Sequence, residues 1–268
     1  MKLSHQAQEV FRETLWDYYR AHGRHDLPWR QTEDPYAVMV SELMLQQTQV
    51  PRVLPKYHEF LEQFPTVHAL AVSDLGVVLR AWQGLGYNRR AKFLWQAARR
   101  IVDDCNHFPD TSAGLVALPG IGPNTAGAIL AYAFNQPIVF IETNVRTVYI
   151  HHFFADRTDI SDREILNLVE QTLDRENPRE FYWALMDYGT HLKATVGNAN
   201  KASKHYVKQS RFHGSRRQIR GAVIRELGAQ PHTAVSLRTL ITDDRLQGVL
   251  DDLVREDMVY LRDGKYHL

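Results

Sequence analysis

The stretch Leu118-Pro119-Gly120-Ile121-Gly122-Pro123-Asn124-Thr125-Ala126-Gly127-Ala128-Ile129 constrains this chain more than any other. Two glycines bracket one apolar residue, and a helix-like run from Thr125 to Phe134 follows at once. Glycines let a tight turn take positive φ and bring backbone N–H groups close to a ligand. A helix N-terminus directly after adds donors and partial positive charge, which suits a phosphate. Gly114 to Leu118 supplies the first helix of a pair, so the unit reads as helix–hairpin–helix. Gly120, Ile121, Gly122, Asn124 and Thr125 are then the residues that meet a DNA backbone, gripping it without reading sequence. An ordinary Gly-rich turn between helices is the other reading of the same residues.

The 268 residues allow one large or two modest domains, and 44% hydrophobic content is ample for a packed core. No apolar run approaches a membrane span. Met1 to Arg20 mixes Lys, His, Gln, Glu and Arg, so no secretory signal is visible. The single cysteine, Cys105, excludes an internal disulfide and a four-thiolate iron–sulfur cluster held within the chain. A reducing, cytoplasmic location fits. Net charge is only +1, yet from Tyr188 to Arg225 there is no Asp or Glu, while Lys193, Lys201, Lys204, Lys208, Arg211, Arg216, Arg217, Arg220 and Arg225 fall inside. That asymmetry is the footprint of a polyanion contact or of a solvated basic linker.

Ser4 to His22 carries Val10, Phe11, Leu15, Trp16 and Tyr19 at helical spacing, a first amphipathic helix. Asp34-Pro35-Tyr36 opens the next helix, which runs through Glu42 and stops near Pro51. Glu42 lies among apolar neighbours, and a buried acid is rare unless employed; an exposed helical Glu is the bland alternative. Further helices cover Val53 to Phe64, Leu75 to Trp82 and Ala91 to Asp104, and Asp110-Thr111-Ser112 caps the helix entering the hairpin. The apolar run Pro137 to Ile141 ends at Glu142, directly before a helix holding Tyr149, His151, His152, Phe153 and Phe154. Adjacent His151 and His152 point apart on a helix, which favours structure or DNA contact over a metal. Asp162 to Leu173 and Pro178 to Tyr188 are two more helices. Beyond Phe212, helices over Arg216–Leu227, Ser236–Ile241 and Arg245–Asp257 precede Val259 to Leu268, which alternates around an Asp-Gly turn. Three helices and a hairpin suggest a winged helix. Asp251, Asp252, Glu256 and Asp257 make its third helix acidic for a major-groove reader, so packing or protein contact comes before DNA contact.

From about Asp26 to Tyr188 these segments together resemble the helix–hairpin–helix (HhH-GPD) DNA glycosylases, the superfamily of endonuclease III and the MutY adenine glycosylases. The carriers are LPGIGPNTA, an acid before TNVRTV, SELMLQQTQV, GLGYNRRA and ALMDYG. The resemblance implies an all-α, two-lobed fold over residues 1–205, with a six-helix lobe at about 31–148 and the winged-helix-like module at 206–268. It implies base excision from double-stranded DNA holding a damaged or mismatched base, with one nucleotide flipped into a pocket between the lobes. Adenine opposite 8-oxoguanine or guanine is the first substrate. A mismatched pyrimidine, an alkylated base, or DNA binding without turnover are the alternatives.

Carried over by position, Glu42 is the general acid that protonates the purine, and Gln46 and Gln47 fill the gap in the stack. Protonation near N7 relieves a poor leaving group, and the acid needs a raised pKa, which burial beside Leu43 and Met44 supplies. Tyr87 wedges beside the opposite base. Glu142 stabilises or attacks the sugar; the family acid there is nearly always aspartate. Asn144 matches a family asparagine at this site. Asn124 stands where bifunctional members place lysine, so strand cleavage through a Schiff base is not expected. Met39 replaces a bulky aromatic of the MutY branch, a sign of a remodelled base pocket. Where the family continues into four cysteines, this chain reads Lys193 to Asn200 with none; Lys201, Lys204 and Lys208 supply DNA contacts instead, joined by Arg216 and Arg217. No cofactor is implied beyond a monovalent cation at the hairpin. The resemblance further implies a monomer, cytoplasmic and nucleoid-associated, with no membrane partner.

Overall fold

The computed structural model describes residues 1–104, 107–209 and 211–268, so Cys105 lies outside the described residues. It is almost wholly helical: α1 His5–His22, α2 Pro35–Leu45, α3 Val50–Gln63, α4 Val67–Ala71, α5 Leu75–Ala81, α6 Arg89–Asp104, α7 Ser112–Val116, α8 Pro123–Phe134, α9 Thr143–Phe153, α10 Asp162–Thr172, α11 Pro178–Thr195, α12 Arg216–Ala229, α13 Ala234–Leu240 and α14 Leu246–Arg255. One hairpin follows, β1 Tyr260–Arg262 and β2 Lys265–His267. No described helix is long and apolar enough to cross a membrane. The chain divides into two compact units. The first holds residues 1–38, 110–117 and 121–208; the second holds 39–109, 118–120 and 209–268.

In the first unit, α11 packs on α9 and α1. Ser4 caps α1, its side chain accepting from the Ala7 N–H, and Phe11, Leu15 and Tyr19 form the buried stripe. Val10, expected on that stripe, is 55% exposed because it sits one position round the helix from Phe11. Gly189 lies where α11 meets α9; a Cβ there would come within 2.6 Å of the Asn144 carbonyl oxygen, so only glycine allows this approach. Buried Asp187 accepts two bonds from Arg30, at 2.8 and 2.9 Å, and two from Arg24. Burial pushes the Asp187 carboxyl up, but the bonds and charge of Arg30 and Arg24 outweigh it and hold the pKa low. Losing one member of such a buried set typically destabilises by about 3–5 kcal/mol.

In the second unit, α4 and α5 pack on α6 around Phe60, Leu70, Leu79, Trp82 and Leu94, each at most 1% exposed. The α2 helix ends at Leu45, earlier than expected, and Pro51 opens α3 instead of closing α2. The physical reason is that proline fits the first turn of a helix, where its missing N–H has no partner to lose. The C-terminal segment has winged-helix order: α12, an extended residue at His232, α13, α14 and the hairpin. His232 makes an isolated antiparallel bridge to Tyr266, beside the two-stranded sheet of β1 and β2. Asp263 and Gly264 both take positive φ, 50° and 71°, as a two-residue type I′ turn demands. Two acids of this region, Asp252 on α14 and its C-cap Glu256, are held by arginines. Glu256 accepts from Arg89 of α6 and Arg220 of α12, and Asp252 pairs with Arg216. Burial raises the Glu256 pKa, but these arginines bring it down to about 2.

Candidate active site and DNA interface

The hairpin apex depends on one glycine. Gly120 takes φ +75°, and a Cβ there would lie 2.5 Å from Cβ of Phe93 on α6. Gly122 differs from the expectation: its φ is −87°, and it serves as the N-cap of α8. Its usefulness is space, since nothing lies within 4 Å of where a Cβ would stand. Pro123 removes one N–H at the first position of α8, leaving the helix start and the open apex to meet an anion. Ile121 is buried beneath the turn, Asn124 is exposed and Thr125 half-buried.

Asn124 Oδ1 accepts from the Ile141 N–H at 3.4 Å, which ties the start of α8 to the residue before Glu142. Glu142 is the N-cap of α9, with no capping bond from its own side chain. Desolvation raises its carboxyl pKa to about 7. Arg146 opposes this, but its guanidinium forks onto Asp162 with two bonds of 2.7 Å, so its charge is largely neutralised there. Asn144 donates to the Met186 carbonyl at 3.2 Å and to Thr190 Oγ1 at 3.4 Å. The structure therefore brings Asn124, Glu142 and Asn144 together in the first unit. His152 is bound into that unit by Tyr188, 3.1 Å from its Nε2, and burial followed by the neighbouring His151 lowers its pKa to about 4.

The protonation of Glu142 is coupled to folding stability. Its folded pKa, about 7, exceeds its ordinary value of 4.5, so the protein favours the neutral acid and loses stability as pH rises between those values. Glu142→Gln removes the penalty. The variant should match the parent below pH 4.5 and exceed it at pH 8 by roughly 1–2 kcal/mol, discounted for partial exposure. Melting temperatures at pH 5 and pH 8 check this: the gain should open only at the higher pH, by a few degrees.

The second unit holds Glu42, Gln46, Gln47 and Tyr87. Glu42 is half-buried on α2, between Ser41 and Leu43, which are 1% exposed. Met39 is wholly buried in the same helix. After Leu45 the chain turns through Gln46 and Gln47, with Gln47 at φ 57° and exposed. A second turn, Gly84 to Tyr87, has Gly84, Gly86 and Tyr87 all at positive φ. One side chain unites the two turns. Buried Arg90 donates through Nη1 to the carbonyls of Leu43, Met44 and Gln46, and through Nη2 to Thr48 Oγ1 and the carbonyls of Leu85 and Gly86. Four N–H bonds thus serve six acceptors, and Nε has no partner. Burial lowers the Arg90 pKa to about 10, still protonated at neutral pH. The C-terminal carbonyls of α2 stabilise that cation. Arg90 was not among the residues the sequence singled out. Its signal is the first polar residue after Tyr87 that falls on the buried face of α6.

Of the basic residues, Lys201 and Lys208 are exposed. Lys204 lies 3.0 Å from Asp159, and Arg216 pairs with Asp252, so each would have to exchange a carboxylate for a phosphate. Arg217 lies against Tyr87. The loop after α11 holds no thiolate, and no cluster of three or more His, Cys, Asp or Glu able to hold a metal occurs among the described residues. With one cysteine in the chain, the donor set does not fit an iron–sulfur cluster.

The fold is that of helical DNA glycosylases. A solved thermostable thymine-DNA glycosylase superposes with TM-score 0.61 at 23% identity, covering 69% of this chain and 86% of that one. Residues 40–174, half of the chain, match the family described as HhH-GPD superfamily base excision DNA repair protein, and the chain belongs to that superfamily. Adenine DNA glycosylase of Buchnera aphidicola subsp. Baizongia pistaciae is 37% identical over 214 residues, 76% of this chain and 60% of that protein. Adenine DNA glycosylase of Mycobacterium tuberculosis is 41% identical over 177 residues, 64% of this chain and 58% of that protein. The chain thus spans about 60% of the length of these relatives.

Proposed function

We propose that this protein is a monofunctional adenine DNA glycosylase that releases adenine opposite 8-oxoguanine or guanine and leaves an abasic site. The observation that carries the reading is the position of Glu42. The acid stands on α2 four residues before Gln46, and Arg90 ties the end of that helix to the Tyr87 turn. Proton donor and wedge thus belong to one braced assembly, as a base-flipping acid catalyst requires.

Glu42 protonates the purine, the C1′–N9 bond breaks with the electron pair leaving on the neutral base, and water adds at C1′, passing a proton to the Glu42 carboxylate. Glu142, as carboxylate, stabilises the positive charge developing on the sugar. That charge itself favours the ionised form, against the burial that raises its pKa. Asn144, fixed by Met186 and Thr190, hydrogen-bonds at the same place. Asn124 is an amide and forms no Schiff base, so the backbone stays intact. The hairpin from Gly120 to Thr125 holds a phosphate through its main chain. Lys201, Lys204, Lys208 and Arg216 add the salt-dependent part of binding.

The test is a panel of duplexes carrying adenine opposite 8-oxoguanine, adenine opposite guanine, thymine opposite guanine, and an alkylated adenine. Alkali-labile sites should appear on the first two alone. Turnover on the third or fourth alone selects another lesion, and salt-dependent binding with no abasic product selects a DNA clamp.

A further inference from the structure

The C-terminal module touches the one aromatic residue assigned to enter the duplex. Tyr87 sits at φ 48°, a backbone region that non-glycine residues occupy only when their surroundings hold them there. Two guanidinium groups lie over its ring, Arg90 at 5.4 Å and Arg217 at 5.0 Å from the centroid. The phenol oxygen accepts from Nη1 of Arg217 and from Nε2 of Gln209. A phenol oxygen has two lone pairs, so these donors saturate it. The same Gln209 amide reaches Gln47 Oε1 at 3.2 Å. Gln209 therefore joins the two turns from outside, as Arg90 joins them from within.

Arg90 belongs to α6, whereas Arg217 lies in the first turn of α12 and Gln209 in the segment before it. The module is fastened next to this point. Arg89, two residues beyond Tyr87, is 2.6 Å from Glu256, which also accepts from Arg220 of α12. Lys92 adds contacts to the Glu256 carbonyl and the Asp257 carboxylate. Glu256, the C-cap of α14, thus clamps α12 to α6 and delivers Arg217 to the Tyr87 ring.

We propose that the winged-helix module is a working part of the DNA-kinking element, with Arg217 and Gln209 as positioning residues that set the wedge posture of Tyr87. The inference rests on the reading of Tyr87 as the wedge. It gives the module a task other than reading a major groove, for which its third helix is too acidic.

The test uses the full chain and a duplex bearing a tetrahydrofuran abasic analogue opposite guanine, labelled for energy transfer between its ends. Arg217→Ala should weaken binding about tenfold and reduce the kink, the scale of one charge-assisted hydrogen bond with a cation–π contact. Gln209→Ala should weaken it about threefold. In a Tyr87→Ala background the same Arg217→Ala change should alter binding less than about twofold, since no ring remains to hold. Equal losses in both backgrounds would overturn the proposal. So would an equal loss on undamaged duplex with the salt slope reduced by about one, the mark of a phosphate contact. Tyr87→Ala that leaves binding and kink unchanged would remove the wedge reading itself, an outcome separate from the other two because it needs no change at Arg217. None of these readouts depends on base release.

Discussion

Glu42→Gln should slow adenine release by about a hundredfold to ten-thousandfold under single-turnover conditions, the usual range for losing a general acid. The substitution keeps the shape of a side chain that stands half-buried between fully buried neighbours on α2, so the fold should persist. An amide carries no transferable acidic proton, and adenine must then leave as an anion. Binding to the abasic-analogue duplex should change little, because the wedge and the hairpin remain. The rate and the affinity therefore separate, which a merely misfolded variant would not show. Release within twofold of the parent would remove Glu42 from the chemistry.

Arg90→Ala should have the largest effect on stability. The side chain satisfies six oxygen acceptors in two turns, with bonds of 2.6 to 3.2 Å. Deleting it leaves buried carbonyls unpaired at the end of α2, each a loss of about 1–3 kcal/mol where water does not enter. Partial hydration brings the expected total to about 3–5 kcal/mol, roughly 10 °C in melting temperature for a chain of this size. Arg90→Lys should recover less than half of this, since an ammonium cannot span both turns as a planar fork does. Thermal unfolding checks the first number, and the loss of DNA kinking should accompany it. A variant that melts within 1 °C of the parent would contradict the bracing role.

Local signals carried much of this fold. Ser4 before an amphipathic run, Thr111 ahead of α7, and Asp263-Gly264 between alternating residues each specify their own backbone, and the structure has a cap, a cap and a type I′ turn there. Glu142 ahead of a helix was equally legible as an N-cap position. Pro51 was not, because a proline reads alike as a helix end and a helix start. Arg90 and Glu256 were illegible for a different reason. Their partners are main-chain carbonyls 46 and 47 residues away in one case, and arginines of two other helices in the other. Such contacts depend on which face of α6 turns inward and on where the end of α14 is placed. The left-handed backbone at Gln47 and Tyr87 is likewise imposed by those contacts, since neither residue type favours it. The basic run after Tyr188 was visible as charge, but not that Arg216 and Arg220 serve α14, or that Arg217 serves Tyr87.

The identity of the base set free decides whether this protein is an adenine glycosylase. The protein is held in excess over a duplex with adenine opposite 8-oxoguanine, and the small-molecule fraction is resolved by chromatography. Free adenine should appear, one equivalent per duplex at completion, with the strand intact until alkali is added. The absence of adenine at any enzyme excess, or a strand already cut before alkali, would contradict the account.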